Sequence, residues 1–182
     1  MDSIIELILT RRSCRSFQDK QVSIDDVNSI IECGLSAPSG MNEQPWFIVA
    51  LMNKDIMNKL NENVKLNFLQ SQTPWRVNWA KESNFNFYYN SPVFILVFGN
   101  EKNYYSNIDC ALTIENMSLA CEDLGLASCI IGDVKMLDEK ILTEYVKVPQ
   151  NYKIVLGLAV GYAKIENKNK KIINNKKYCI IK

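Results

Sequence analysis

The chain has 182 residues, 47% of them hydrophobic and 23% charged, with a formal net charge of +1. That length and apolar content predict one domain spanning 1–182 with a sizeable core, and they exclude a disordered tail protein. Histidine is absent, which excludes Ser-His-Asp and Cys-His catalysis and the usual histidine-containing zinc and iron sites.

In chain order, residues 3–10 read as a short helix that ends at a basic cluster. Ser23, with Asp26 three residues later, is close to a capping box and opens a second helix. Its apolar positions Val27, Ile30, Ile31 and Leu35 recur at helical spacing. The run 46–52 is continuously apolar, as in a strand buried on both faces. Residues 54–69 are predicted helical, and 73–90 become aromatic and irregular. Pro92 leads into a strand at 93–98. A long helix starts at Asn107 or Asp109 and ends at Gly125, with Leu112, Leu119 and Leu124 among its expected buried residues. Strand 126–131, helix 137–146 and strand 153–162 follow, and 178–181 could form a short terminal strand.

The apolar runs 46–52 and 93–98 are far too short to span a bilayer, and the start lacks the basic region of a signal peptide. A cytoplasmic protein without membrane partners is expected. The six cysteines include no C-x-x-C pair, so reduced, mostly buried thiols are expected and no metal site. Between positions 164 and 182 stand seven lysines and one acid, Glu166. This tail is either a solvated end or part of an anion site. It lacks the aromatic interleaving of a nucleic-acid surface apart from Tyr178, and no nucleic-acid partner is expected.

Three segments could carry chemistry. Arg11, Arg12 and Arg15, three of only four arginines, lie within five residues beside Ser13. Arginine forks suit phosphate and electron-rich carbonyl or ring-nitrogen acceptors; equally, the cluster could face the negative end of a helix dipole. The run A-P-S-G-M-N-E-Q-P-W at 37–46 exposes amides, donors and acceptors suited to a planar heterocycle, or simply connects a helix to a strand. The run ending at Ile131 and Gly132 lets backbone approach a ligand closely, or is an ordinary buried strand. No G-x-G-x-x-G follows the first strand and there is no P-loop.

Taken together and in this order, R-R-S-x-R-x-F, A-P-S-G-x-N-x-Q-P-W, S-P-V-F-I-L-V-F, L-G-L-A-S-C-I-I-G and V-L-G-L-A-V-G-Y resemble the FMN-dependent nitroreductase family over nearly the whole chain. The resemblance implies an α+β fold, with a mixed central sheet flanked by helices, in an intertwined homodimer with FMN at the interface. It implies that Arg11 contacts the FMN phosphate with Arg12 and Ser13 beside it, and that Arg15 is the cation near flavin N1 and the C2 carbonyl. Pro38, Ser39, Gly40 and Asn42 match the loop along the ring, and Ile131 and Gly132 the segment near N5. Lys168 and Lys170 stand where relatives complete the phosphate site, although the proline and arginine of the usual P-K-x-R are missing. Segment 178–181 fits a strand added to the partner's sheet.

The implied reaction is ping-pong: NADH or NADPH reduces FMN, and a small flat oxidant such as a nitroaromatic or quinone is then reduced. Because flavin N5 carries the hydride, no catalytic side chain is nominated. Flavin cleavage, dehalogenation, heterocycle oxidation and non-catalytic FMN carriage share the same motifs and remain alternatives. The stretch between the strand at 93–98 and the long helix is too brief for the helical excursion that covers the flavin in longer members. Trp75, Trp79, Phe85, Phe87, Tyr88 and Tyr89 would instead wall the substrate pocket, or be core or dimer interface.

Overall fold

The computed structural model describes residues 3–165 and 177–181. Six helices, α1 (Ile4–Thr10), α2 (Ile24–Leu35), α3 (Lys54–Leu69), α4 (Pro74–Ala80), α5 (Ser106–Asp123) and α6 (Glu139–Tyr145), accompany four strands, β1 (Trp46–Leu51), β2 (Val93–Asn100), β3 (Ala127–Ile131) and β4 (Tyr152–Gly161). The side chains of Ser3 and Ser23 accept from the backbone N–H groups of Glu6 and Asp26, so each helix starts where its hydroxyl can satisfy an orphan donor. Asn53 caps α3 in the same way. The structure turns part of the irregular stretch at 73–90 into α4, with Pro74 in its first turn, where a missing N–H costs nothing.

The sheet order is β1-β2-β4-β3. Each neighbouring pair is antiparallel, which corrects the expected mixed sheet. Among the described residues, the parallel element is an isolated bridge between Ser13 and Ser128. β2 is central and shows why its run is apolar throughout. Phe94, Leu96 and Phe98 face α3 and its core residues Leu60, Val64 and Phe68, while Val93, Ile95 and Val97 face α2 and α5. β1 is instead an edge strand, with full burial only at Trp46 and Leu51. Its apolar run therefore does not mean two covered faces.

Two helix faces also depart from expectation. α5 buries Asp109, Cys110, Thr113, Ile114, Met117 and Cys121 against the sheet and α2. Leu112 and Leu124 are 41% and 38% exposed, and Leu119 is only half-buried. α5 is apolar on both sides, so periodicity could not tell which stripe meets the core. In α2, Val27, Ile30 and Gly34 are buried and Leu35 is exposed. A side chain at Gly34 would lie 2.6 Å from the Met117 side chain, so the glycine sets how closely α2 approaches α5. α1 buries nothing, and Ile4, Ile5 and Ile8 are exposed. With Ile108 and Leu112 of α5, they leave an apolar outer layer.

All six cysteines are free thiols; Cys110, Cys121 and Cys129 are buried, Cys14 is half-buried, and Cys33 and Cys179 are exposed. Among the described residues, 178–181 pair with no strand, and Tyr178, Ile180 and Ile181 are exposed. Among the described residues, no helix is long and apolar enough to cross a membrane.

Candidate cofactor-binding site

The basic cluster follows the end of α1 and is pinned against the outer edge of β3. The Cys14 N–H donates to the Ser128 carbonyl at 2.8 Å. Behind that contact, the hydroxyls of Ser118 and Ser128 lie 3.0 Å apart in the core, so the segment is level with the C-terminal half of α5. Arg11 reaches the Glu115 carboxylate at 3.8 Å. Arg12 Nη1 donates to the carbonyls of Leu9 and Arg11 at 3.2 and 2.7 Å. Arg11 Nη1 and Arg12 Nη2 are buried and have no hydrogen-bond partner among the described residues.

Two orphaned guanidinium donors are costly unless an acceptor completes them, and a phosphate is the acceptor for which arginine forks are suited. Beside them lies a cavity of about 450 Å³, lined in part by Arg12, Ser13, Arg15, Glu122, Tyr162 and Ile165. The donor set therefore fits the phosphate end of the expected FMN. Lys168 and Lys170, expected at the same phosphate, lie outside the described residues.

Arg15 is tied to an aromatic wall. Its guanidinium sits 6.0 Å from the centre of the Tyr89 ring. A hydrogen bond between Arg15 and Tyr89 holds the arginine's pKa up, and burial holds the Tyr89 phenol up, so the phenol stays neutral. Tyr89 stacks on Trp79 at 5.9 Å, and Trp79 on Trp75 at 6.4 Å. Arg76 packs over Trp75 and Phe68, and its Nε and Nη2 donate to Asp133 Oδ1 at 3.2 and 2.8 Å. That bond fastens α4 to the residue after Gly132.

The segment at 73–90 therefore divides. Phe85, Phe87 and Tyr88 are buried core, Trp79 and Tyr89 are half-buried, and Trp75 is 51% exposed. Ile131 is buried at the end of β3, Gly132 is exposed, and a side chain at Gly132 would meet nothing within 4 Å. The backbone at Gly132 is thus open to approach. Burial also pushes the thiols of Cys14 and Cys129 up. Neither behaves as a ready thiolate.

Pro38, Ser39, Gly40 and Asn42 are not brought to this cluster. Their loop lies at the other end of α5, where the Gly40 N–H donates to both carboxylate oxygens of Asp109 at 3.2 and 3.3 Å. At a rise of about 1.5 Å per residue, Asp109 lies roughly 9 Å along the helix from Glu115, the partner of Arg11, and roughly 14–20 Å from the Ser118–Glu122 stretch. Arg76, Asp133 and Asp109 carried no site role in the sequence, and Tyr89 stood there only as one of the aromatics of the possible pocket wall. Arg76 and Asp133 are separated by 57 positions, and no local pattern announces their pairing.

Comparison with known proteins places the chain in a family. The nitroreductase family model matches residues 8–162. The crystal structure of a nitroreductase with bound FMN from Bacteroides fragilis superposes with a TM-score of 0.89 at 31% identity, covering 100% of both chains. The FMN reductase (NADPH) of Bacillus subtilis is 26% identical over 89% of this chain and 66% of its own length. Iodotyrosine deiodinase 1 of Sus scrofa is 27% identical over 86% of this chain and 60% of its own length.

Proposed function

The chain belongs to the nitroreductase family, and from that premise we propose that it is an FMN-dependent oxidoreductase. It takes reducing equivalents from NADH or NADPH and passes them to a small, flat oxidant such as a nitroaromatic or quinone. The observation that carries this reading is the pair of buried donors on Arg11 and Arg12 without a partner among the described residues, with Arg12 on the wall of the cavity. When bound, FMN supplies hydride acceptance and hydride donation at its N5.

The protein's share is position and charge. Arg11, Arg12 and Ser13 hold the phosphate, with Lys168 and Lys170 as further candidates. Arg15 sets a fixed positive charge at the N1 and C2-carbonyl edge, where negative charge gathers. The Ile131–Gly132 backbone lies along the N5 side. Solvent supplies protons, and no side chain is assigned as general acid.

The loop at Pro38, Ser39, Gly40 and Asn42 completes the site from a second copy. Two observations favour this homodimer: the loop is far from the arginines of its own chain, and an apolar layer of Ile4, Ile5, Ile8, Ile108 and Leu112 faces outward. The likeness to iodotyrosine deiodinase 1 favours reductive dehalogenation as a second reading, since the same cofactor grip would serve it.

The test is the visible absorption spectrum of purified protein before and after anaerobic NADH and NADPH. A flavin band that bleaches is the expected result. A band that survives both nucleotides points to a carrier or another reductant, and no band after adding FMN overturns the reading. Iodide release from iodotyrosine, set beside nitroaromatic and quinone turnover, separates the two reactions.

A further inference from the structure

The loop after α2 holds a shape that its residues would not choose. Met41, Asn42 and Gln44 have φ of 54°, 57° and 46°, the left-handed region in which residues other than glycine are strained. Such conformations persist where the surroundings over-determine them. Here the surroundings are residues at the start of α5. Asp109 is 3% exposed, and both of its carboxylate oxygens face the Gly40 N–H. Tyr105 closes the other side, because a side chain at Gly40 would lie 2.8 Å from its ring. Asn103 donates to the Glu43 carboxylate, and Ser39 Oγ accepts the Gln44 N–H at 3.1 Å. The loop's tip nevertheless points outward, with Met41 90% exposed.

A buried acid spent on one glycine amide, under a strained and outward-facing tip, is the signature of a group that aims something. We infer that Asp109 is a positioning residue: by fixing the Gly40 amide, its carboxylate presents Ser39 and Asn42 to the FMN held by the second copy. This inference rests on the functional reading above. A purely structural role is the alternative, because a carboxylate in the first turn of α5 also suits the helix dipole.

The experiment compares the full-length wild type with Asp109→Ala and Asp109→Asn by FMN titration, visible circular dichroism of the bound flavin, and apoprotein melting. Losing a charge-assisted hydrogen bond predicts that Asp109→Ala weakens FMN binding about tenfold and alters the flavin dichroism. Asp109→Asn keeps an amide oxygen for the Gly40 N–H and should return affinity to within about threefold of wild type. Wild-type affinity and dichroism in folded Asp109→Ala would overturn the inference. So would Asp109→Asn binding as weakly as Asp109→Ala, because the aiming would then not run through the hydrogen bond.

If Asp109→Ala does not fold, Tyr105→Ala replaces it; loosened FMN binding supports the clamp, and unchanged binding overturns it. If the wild type takes up no FMN, the functional reading fails and the clamp is judged by hydrogen exchange at Gly40. Slow exchange in wild type and fast exchange in Asp109→Ala support the clamp, and equal rates overturn it.

Discussion

Arg15 and the buried thiols carry opposite kinds of polarity, and each yields a measurement. The Arg15 side chain reaches the Tyr89 hydroxyl from an otherwise exposed position, so removing it leaves no cavity. Arg15→Ala is expected to melt close to wild type while binding FMN about tenfold more weakly, on the scale of one lost charge-assisted contact, and to slow flavin reduction. Unchanged affinity and reduction rate would remove Arg15 from the site. The thiols act on stability. Burial raises the Cys110 pKa to about 11 and pushes Cys121 higher still. The folded protein thus keeps protons that the unfolded chain releases near pH 9. The stabilisation is complete below that pH and is lost as pH rises toward the folded value, by about 1.4 kcal/mol per pH unit for each thiol. Urea midpoints should fall between pH 9 and 10.5, with a shallower fall in Cys110→Ala; a flat wild-type profile would contradict this.

Among the elements, α4 has no assigned role beyond fastening. Arg76 bonds it to Asp133, and its Trp75 presents an exposed ring at the end of the Tyr89–Trp79–Trp75 stack. If that stack walls the substrate pocket, Trp75→Ala and Trp79→Ala raise the KM for a planar oxidant several-fold and leave FMN affinity alone, since a ring stack is worth about 1 kcal/mol. Unchanged KM values would assign both rings to packing. The same elements show what the sequence made legible. The capping hydroxyl of Ser23 and hydrophobic spacing placed α2, because those signals are local, while α1 falls within the predicted 3–10 and α3 occupies the predicted residues 54–69. The outward turn of Leu112 and the edge position of β1 were hidden, since each depends on which elements pack beside them. The arginine motif and the Pro38–Asn42 loop could be read as binding segments, but nothing in their spacing says that α5 holds them apart.

At the scale of the whole molecule, the proposed site needs two chains, and the proposed strand exchange by the tail would hold them. Residues 178–181 are exposed in this chain, with Tyr178, Ile180 and Ile181 open to solvent, a poor arrangement for apolar side chains unless a neighbour covers them. Truncation after Asn174 is expected to weaken the homodimer, read by light scattering across a dilution series; an unchanged dimer would contradict the strand-exchange reading. α5 has a consequence of its own. It spans 18 residues, with one contact to the loop near its start and others to the arginine segment farther along, so it would work as a ruler between the two proposed half-sites. One residue inserted mid-helix would advance everything beyond it by about 1.5 Å and turn it by about 100°, swinging Met117 and Cys121 away from the core.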